Sequence, residues 1–352
     1  MGIQEEIVQR HQAFWQRGPA ERPIGSFWIG SRLPDELYTA ARAIPVGRVM
    51  PSDIHVEDFL ADYDRLHELH ESVADDAFWA ASPFFGIPWV EAIPGCPVYY
   101  SGDTFWVEPI WPEWPAEISL PLPKGREWME KLIEFTRALV SRAEGRYAVA
   151  TTLMRGPSDL AAAVRGHEAM IYDLYDHPAE LQRMLGMAAD VWIDVARRQL
   201  DVIQPIAGGY VSNFYRVWAP DRIVFTQEDA SASFSPPLFR RFLLPQDRRI
   251  SSAFPYSIMH VHSPTTWPVE QWLTLDSLSC IEINYDNNGP RLPALLPLLK
   301  SIQGVKPLVI RGELTVEEIA WIKRELSPRG LLLNIATLSV EEARTLMAAL
   351  RK

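Results

Sequence analysis

Apolar and polar residues alternate over Met259-His260-Val261-His262 and again over Cys280-Ile281-Glu282-Ile283-Asn284. In an extended strand, residues i and i+2 share a face. Met259 and Val261 therefore lie on one side, and His260 and His262 on the other. In the next segment Ile281 and Ile283 oppose Cys280, Glu282 and Asn284. The same parity continues later in the chain. Leu308 and Ile310 oppose Val309, Arg311 and Glu313, and Leu331, Leu333 and Ile335 oppose Leu332, Asn334 and Ala336. One apolar face to meet flanking helices and one mixed face turned to a common centre is the pattern of a parallel barrel strand.

Helical periodicity predicts helices at 3–16, 56–73, 126–145 and 178–200, with a further one opened by Pro157, a residue suited to a first turn. Beyond residue 222 strands and helices alternate in short units, with helices at 236–251, 268–274, 291–302, 315–326 and 339–351. That order reads as successive βα units around a parallel sheet. Eight strands are expected, at 24–30, 77–82, 147–153, 222–228, 257–262, 279–284, 307–312 and 331–335. They predict a single (β/α)8 TIM barrel over 1–352, with an N-terminal helical extension and a Trp/Pro-rich, hairpin-bearing excursion around 97–123. Gly208–Ser212 is a possible ninth strand that would upset the count.

The inward polar residues come late in their strands, at Glu228, His262, Asn284, Arg311 and Asn334. The C-terminal strand ends are where such barrels carry chemistry. His260 and His262 with Glu282 supply the ligand types of a divalent metal site, zinc being the natural ion. The alternative is a polar lining that orients substrate without metal. Glu282 reads equally as an ion-pair partner of Arg311. Should it lie one layer too deep, Asp229 or Glu228 is the substitute ligand. Glu228 and Asp229 suit acid–base work or a helix cap, and Arg311, Asn284 and Asn334 suit substrate orientation. Arg155 either pairs with Asp159 or holds a substrate carboxylate. Trp28, Trp79 and Trp106 are candidates for an apolar pocket wall, and Cys280 reads as packing.

Composition narrows the function classes. Of 352 residues, 47% are hydrophobic and 22% charged, an ordinary globular balance. A net charge of −11 argues against a nucleic-acid partner. The two cysteines, Cys96 and Cys280, do not make a disulfide scaffold and fit a reducing compartment. The acidic start Met1–Glu6 lacks the basic region of a signal peptide, and no long apolar run is present. A cytoplasmic location is therefore expected.

The motifs Gly156-Pro157-Ser158-Asp159-Leu160, Asp176-His177-Pro178, Glu228-Asp229 before Phe234-Ser235-Pro236, His260-Val261-His262, Arg311-Gly312-Glu313-Leu314 and Leu333-Asn334 follow one another in an order that resembles the uroporphyrinogen decarboxylase superfamily. The resemblance covers roughly residues 20–350. It implies the (β/α)8 barrel, a homodimer, and either decarboxylation or methyl transfer linked to a corrinoid that arrives on a separate partner protein. The arginine-rich N-terminal run of the decarboxylases is reduced here to Arg32, a candidate substrate contact. Ala81-Ser82-Pro83 stands where they carry an aspartate, and Ala161-Ala162-Ala163 where they carry a tyrosine. The thiol-directed methyltransferases have His-x-Cys where this chain has His260-Val261-His262, and they have a late cysteine that is absent here. The expected function is metal-assisted methyl transfer or demethylation of a small molecule. A decarboxylase-type lyase and a non-catalytic binding barrel are the alternatives.

Overall fold

The computed structural model describes residues 2–31, 34–120 and 126–352. The eight expected strands are all present: β1 (Ile24–Ile29), β2 (Ala80–Ala81), β3 (Ala148–Val149), β4 (Ile223–Gln227), β5 (Tyr256–His262), β6 (Cys280–Tyr285), β7 (Leu308–Gly312) and β8 (Leu331–Thr337). Six of them form one curled parallel sheet in the order β1-β8-β7-β6-β5-β4, while β2 and β3 pair only with each other. The closed eight-stranded ladder expected from the sequence is therefore not formed among the described residues. Two seams remain, and side chains bridge both.

At the first seam Asp75 and Asp76, just before β2, take the place of a strand partner. The Gly25 N–H donates to Asp76 Oδ2 at 3.0 Å, and the Phe27 N–H donates to Asp75 Oδ2 at 3.2 Å. Backbone donors on the free edge of β1 are thus satisfied without a ladder. At the second seam the Ser158 N–H donates to Glu228 Oε2 at 2.8 Å. Here the chain must pass so close to β4 that a Cβ on Gly156 would lie 2.0 Å from the Gln227 carbonyl oxygen. Only glycine fits that approach.

The stretch around Gly208–Ser212 is not a barrel strand. Tyr210–Val211 pairs antiparallel with Trp218–Ala219, and Val211 and Trp218 pack on Ala80, Ala148 and Ala150. The loop of this hairpin bonds to β1. The Tyr215 carbonyl accepts from Ser26 Oγ at 3.3 Å, and the Phe214 carbonyl accepts from Trp28 Nε1 at 2.6 Å. Arg216 donates to the Phe27 carbonyl and lies 4.7 Å above the Trp28 ring. Phe214 and Arg216 have φ of 56° and 55°, a conformation that costs about 1–3 kcal/mol per non-glycine residue. Those bonds to β1 hold the loop in place.

The expected helices are present, with one interruption. The helix expected at 236–251 is two, Pro236–Phe242 and Leu244–Ser252. Pro245 has no N–H for an intrahelical bond and suits a first turn, so the second helix restarts there. The excursion forms a three-stranded antiparallel sheet of Gly47–Val49, Val98–Tyr100 and Phe105–Val107. The larger of two apolar clusters extends from Phe14 to Leu350. Among the described residues no helix is long and apolar enough to cross a membrane.

Candidate functional site at the C-terminal strand ends

Strand register places the polar residues in two rows. His260 stands opposite Glu282, which stands opposite Val309. One layer on, His262, Asn284, Arg311, Asn334 and Ser26 are register partners across five strands. Strands in a curled parallel sheet tilt and stagger, so such a row climbs along the barrel axis. His262 is exposed and Arg311 half-buried, whereas Asn284, Asn334 and Ser26 are buried. Asn334 Nδ2 donates to Ser26 Oγ at 2.7 Å. Expected at the mouth, Asn334 instead ties β8 to β1 inside the barrel.

Both imidazoles are oriented by carboxylates. His260 Nδ1 lies 2.5 Å from Glu282 Oε2 and 3.1 Å from the Tyr215 hydroxyl. His262 Nδ1 lies 2.9 Å from Asp286 Oδ1. Asp286 also accepts from the Ser263 N–H at 3.0 Å and from Asn284 Nδ2 at 2.6 Å. The Asp286 bond raises the pKa of His262 above its usual value, against the effect of burial. Burial alone would raise Asp286, but its bond to His262 and the neighbouring donors outweigh this and lower it. Burial, followed by the Glu282 charge, pushes the Tyr215 phenol well above its usual range.

With each Nδ1 engaged by a carboxylate, Nε2 is the ring nitrogen left for other contacts. Among the described residues, Asp229, His260 and His262 each offer one ligand atom, and these atoms lie within 4.8 Å of one another. The converging carboxylate is thus Asp229, not Glu282, which is spent on orienting His260. Glu282 Oε1 is buried without a partner. Gln227 Nε2 donates to Asp229 Oδ2 at 2.5 Å, and the Asp229 and Ala230 N–H groups both donate to Asp159 at 3.1 Å.

The neighbouring candidates separate. Glu228 turns away from the imidazoles, to the N-terminus of the helix Pro157–Arg165, where it accepts from the Ser158 N–H. Burial and the facing Asp247 raise its pKa well above the carboxylate range. Burial also brings Asp247 up to about 6, and Asp247 accepts from Trp272 Nε1 at 2.7 Å. Glu228 is a buried cap and not a mouth acid. Arg155 pairs with neither Asp159 nor a free space. Its Nε lies 2.8 Å from the Glu91 carboxylate. Arg311 pairs with Asn284, donating to Oδ1 at 2.7 Å, and not with Glu282. Its guanidinium lies 5.6 Å from the Phe214 ring centroid, and its Nε is buried without a partner. Cys280 is fully buried, and burial raises its pKa. Arg32 lies outside the described residues.

Two functional neighbours escaped sequence reasoning. Asp286 was legible, since it follows Asn284 by two residues and shares its parity. Tyr215 was not, because it sits in an irregular loop with no periodicity.

Of the tryptophans expected to wall a pocket, Trp106 lines the smaller of two cavities, whereas Trp28 and Trp79 are packed in the core. Trp28 is buried and hydrogen-bonded, Trp79 packs at 5.0 Å on Tyr147, and Trp106 stacks on Tyr99 at 5.6 Å. A cavity of about 1010 Å³ is lined instead by phenylalanines and tyrosines, together with Gly30 after β1, Leu153 after β3 and Leu338 after β8. A second, of about 420 Å³, is lined by Arg155, Asp159, Asp229 and Trp106.

No protein-family model matches the chain, and no curated protein matches its sequence. Among solved structures, a methyltransferase from Methanosarcina mazei superposes with a TM-score of 0.65 at 15% identity, covering 98% of each chain. The two share a fold over nearly their whole lengths. A β-mannanase from a symbiotic protist of the termite Reticulitermes speratus gives 0.42 at 9% identity, covering 97% of this chain and 89% of the other. The YdhT protein from Bacillus subtilis gives 0.40 at 9% identity, covering 97% and 87%. These two likenesses are too loose to bear on fold or function.

Proposed function

We propose that this chain is a metal-assisted methyltransferase or demethylase of the corrinoid-linked type, a divergent member of the uroporphyrinogen decarboxylase superfamily acting on a small molecule. The carrying observation is the convergence of Asp229, His260 and His262 at the C-terminal ends of β4 and β5. The shared fold with a methyltransferase supports the reaction class.

The residues fit a divalent ion. Two imidazoles and one carboxylate are a zinc donor set that leaves a position open. Each imidazole bonds a carboxylate through Nδ1, the arrangement that fixes the tautomer of a metal-ligating histidine and raises its basicity. When bound, the ion would polarise the substrate's heteroatom as a Lewis acid. Glu282 and Tyr215 hold the His260 ring from one side, and Asp286 and Asn284 hold His262 from the other. Arg311, kept in the mouth by Asn284, is placed to orient an acceptor group of the substrate. The proposal includes a corrinoid delivered by a separate partner protein and a homodimeric assembly.

The test is anaerobic incubation with cob(I)alamin and, in turn, anisole, trimethylamine and dimethyl sulfide as methyl donors. Formation of methylcobalamin with one of them, lost in His260→Ala, is the expected result. No methylcobalamin above the protein-free control with any donor, from zinc-loaded protein, contradicts it.

A further inference from the structure

Six aromatic rings line the cavity of about 1010 Å³: Tyr38, Phe84, Phe85, Tyr100, Phe105 and Phe214. They form one unbroken arc. Centroid separations are 5.8 Å for Tyr38–Phe85, 4.7 Å for Phe85–Phe214, 5.8 Å for Phe84–Phe85, 6.2 Å for Phe84–Phe105 and 4.2 Å for Tyr100–Phe105. Rings clustered like this ordinarily fill a core. Tyr38, Phe84, Tyr100 and Phe214 are buried in that core, and they turn one side to the cavity, whose wall Phe85 and Phe105 complete as partly exposed rings.

Two further features set the direction of a ligand. Phe105 lines both this cavity and the smaller one, and the smaller one reaches Asp229. Phe105 thus belongs to the walls of both cavities, and a substituent passing it would approach the Asp229 side of the histidine–aspartate cluster. Phe214 marks the other approach, since its ring lies beside Arg311, which bonds Asn284 next to His262. The charge of the lining disfavours an anionic ligand. Among the described residues Arg42 is the one cation there, against Glu36 and Asp103.

We infer that this cavity binds an uncharged planar aromatic molecule of one or two rings, with its ring within the arc and its substituent directed past Phe105 toward Asp229. The physical preference is for aromatic over saturated rings. The arc offers ring edges and faces at mixed angles, and aromatic pairs gain attraction beyond the area they bury. The inference rests on the methyl-transfer reading only for what happens at the substituent, where an aryl methyl ether would carry its methyl group.

The matched probes are anisole and methoxycyclohexane, titrated calorimetrically into the zinc-supplemented full-length protein. Anisole is expected to bind about two- to tenfold more tightly. Phe85→Leu and Phe105→Leu are expected to remove most of that preference while leaving methoxycyclohexane binding nearly unchanged. Circular dichroism on each variant checks the fold. Equal affinities, tighter binding of the saturated ring, no measurable anisole binding at millimolar concentration, or a preference untouched in both folded variants overturns the inference. Metal content measured on the same samples separates the two readings. Metal without an aromatic preference rejects the cavity assignment alone. An aromatic preference in protein that retains no metal rejects the metal-assisted reading and leaves the cavity assignment standing.

Discussion

Glu282 and His260 meet across the boundary between β5 and β6, with Oε2 2.5 Å from Nδ1. The carboxylate expected from the sequence to bind a metal thus orients the His260 ring. Glu282→Gln should keep the fold and the metal stoichiometry at saturation but weaken affinity by about 10- to 100-fold. Competition against a chromophoric chelator measures this. Unchanged affinity would show that the contact plays no part in metal binding.

Glu228 and Asp229 are neighbours with opposite expected roles. Asp229→Asn should sharply reduce metal retention, because it removes the carboxylate that, among the described residues, converges with both imidazoles. Glu228→Gln should leave metal content unchanged, since Glu228 is turned to the Ser158 N–H and does not converge with the imidazoles, and an amide oxygen can accept the same bond. Elemental analysis of both variants decides the matter. Metal loss in the Glu228 variant with retention in the Asp229 variant would reverse the assignment.

Gly156→Ala should destabilise the protein by about 1–3 kcal/mol or more, the cost of forcing atoms into a close-packed contact. The added Cβ would fall 2.0 Å from the Gln227 carbonyl oxygen, and backbone on one side of the seam would have to move. A lower urea midpoint measures the effect. An unchanged midpoint would mean that β3 and β4 are not held this close.

His11 should make stability fall in mild acid. Its Nδ1 accepts from the Trp218 N–H at 3.0 Å, and its Nε2 lies 3.0 Å from the Asp76 carbonyl. Only the neutral Nε2–H tautomer serves both contacts, and full burial lowers the pKa from 6.5 to about 4. Between those values the unfolded chain binds a proton that the folded chain refuses. Stability therefore drops as pH falls through the window, by up to about 3 kcal/mol from this group. Chemical denaturation from pH 7 to 4 should show a shallower loss for His11→Asn than for the parent protein. Equal slopes would remove His11 as the cause.

Strand parity made much of the site legible. It placed His260 and His262 on one face and aligned them with Glu282 and Asn284, and the register agrees residue for residue. Parity cannot give depth. Asn334 shares the row of His262, yet it is completely buried. Nor can parity say which way a residue turns once the strand ends. Gln227 is the last residue of β4, and beyond it Glu228 and Asp229 point apart. The open seams had no signal either, because Asp75, Asp76 and Gly156 act through side chains or close approach and not through a hydrophobic period. Tyr215 lies in a loop whose path depends on bonds to β1 and β8, distant in sequence.

Elemental analysis of protein purified without chelator, for the parent chain and for His260→Ala, tests the metal assignment most directly. The expected result is near-stoichiometric divalent metal, zinc foremost, in the parent and its loss in the variant, with circular dichroism unchanged between them. Metal-free parent protein that takes up no zinc on addition, or a folded His260→Ala variant that retains the metal in full, would contradict it.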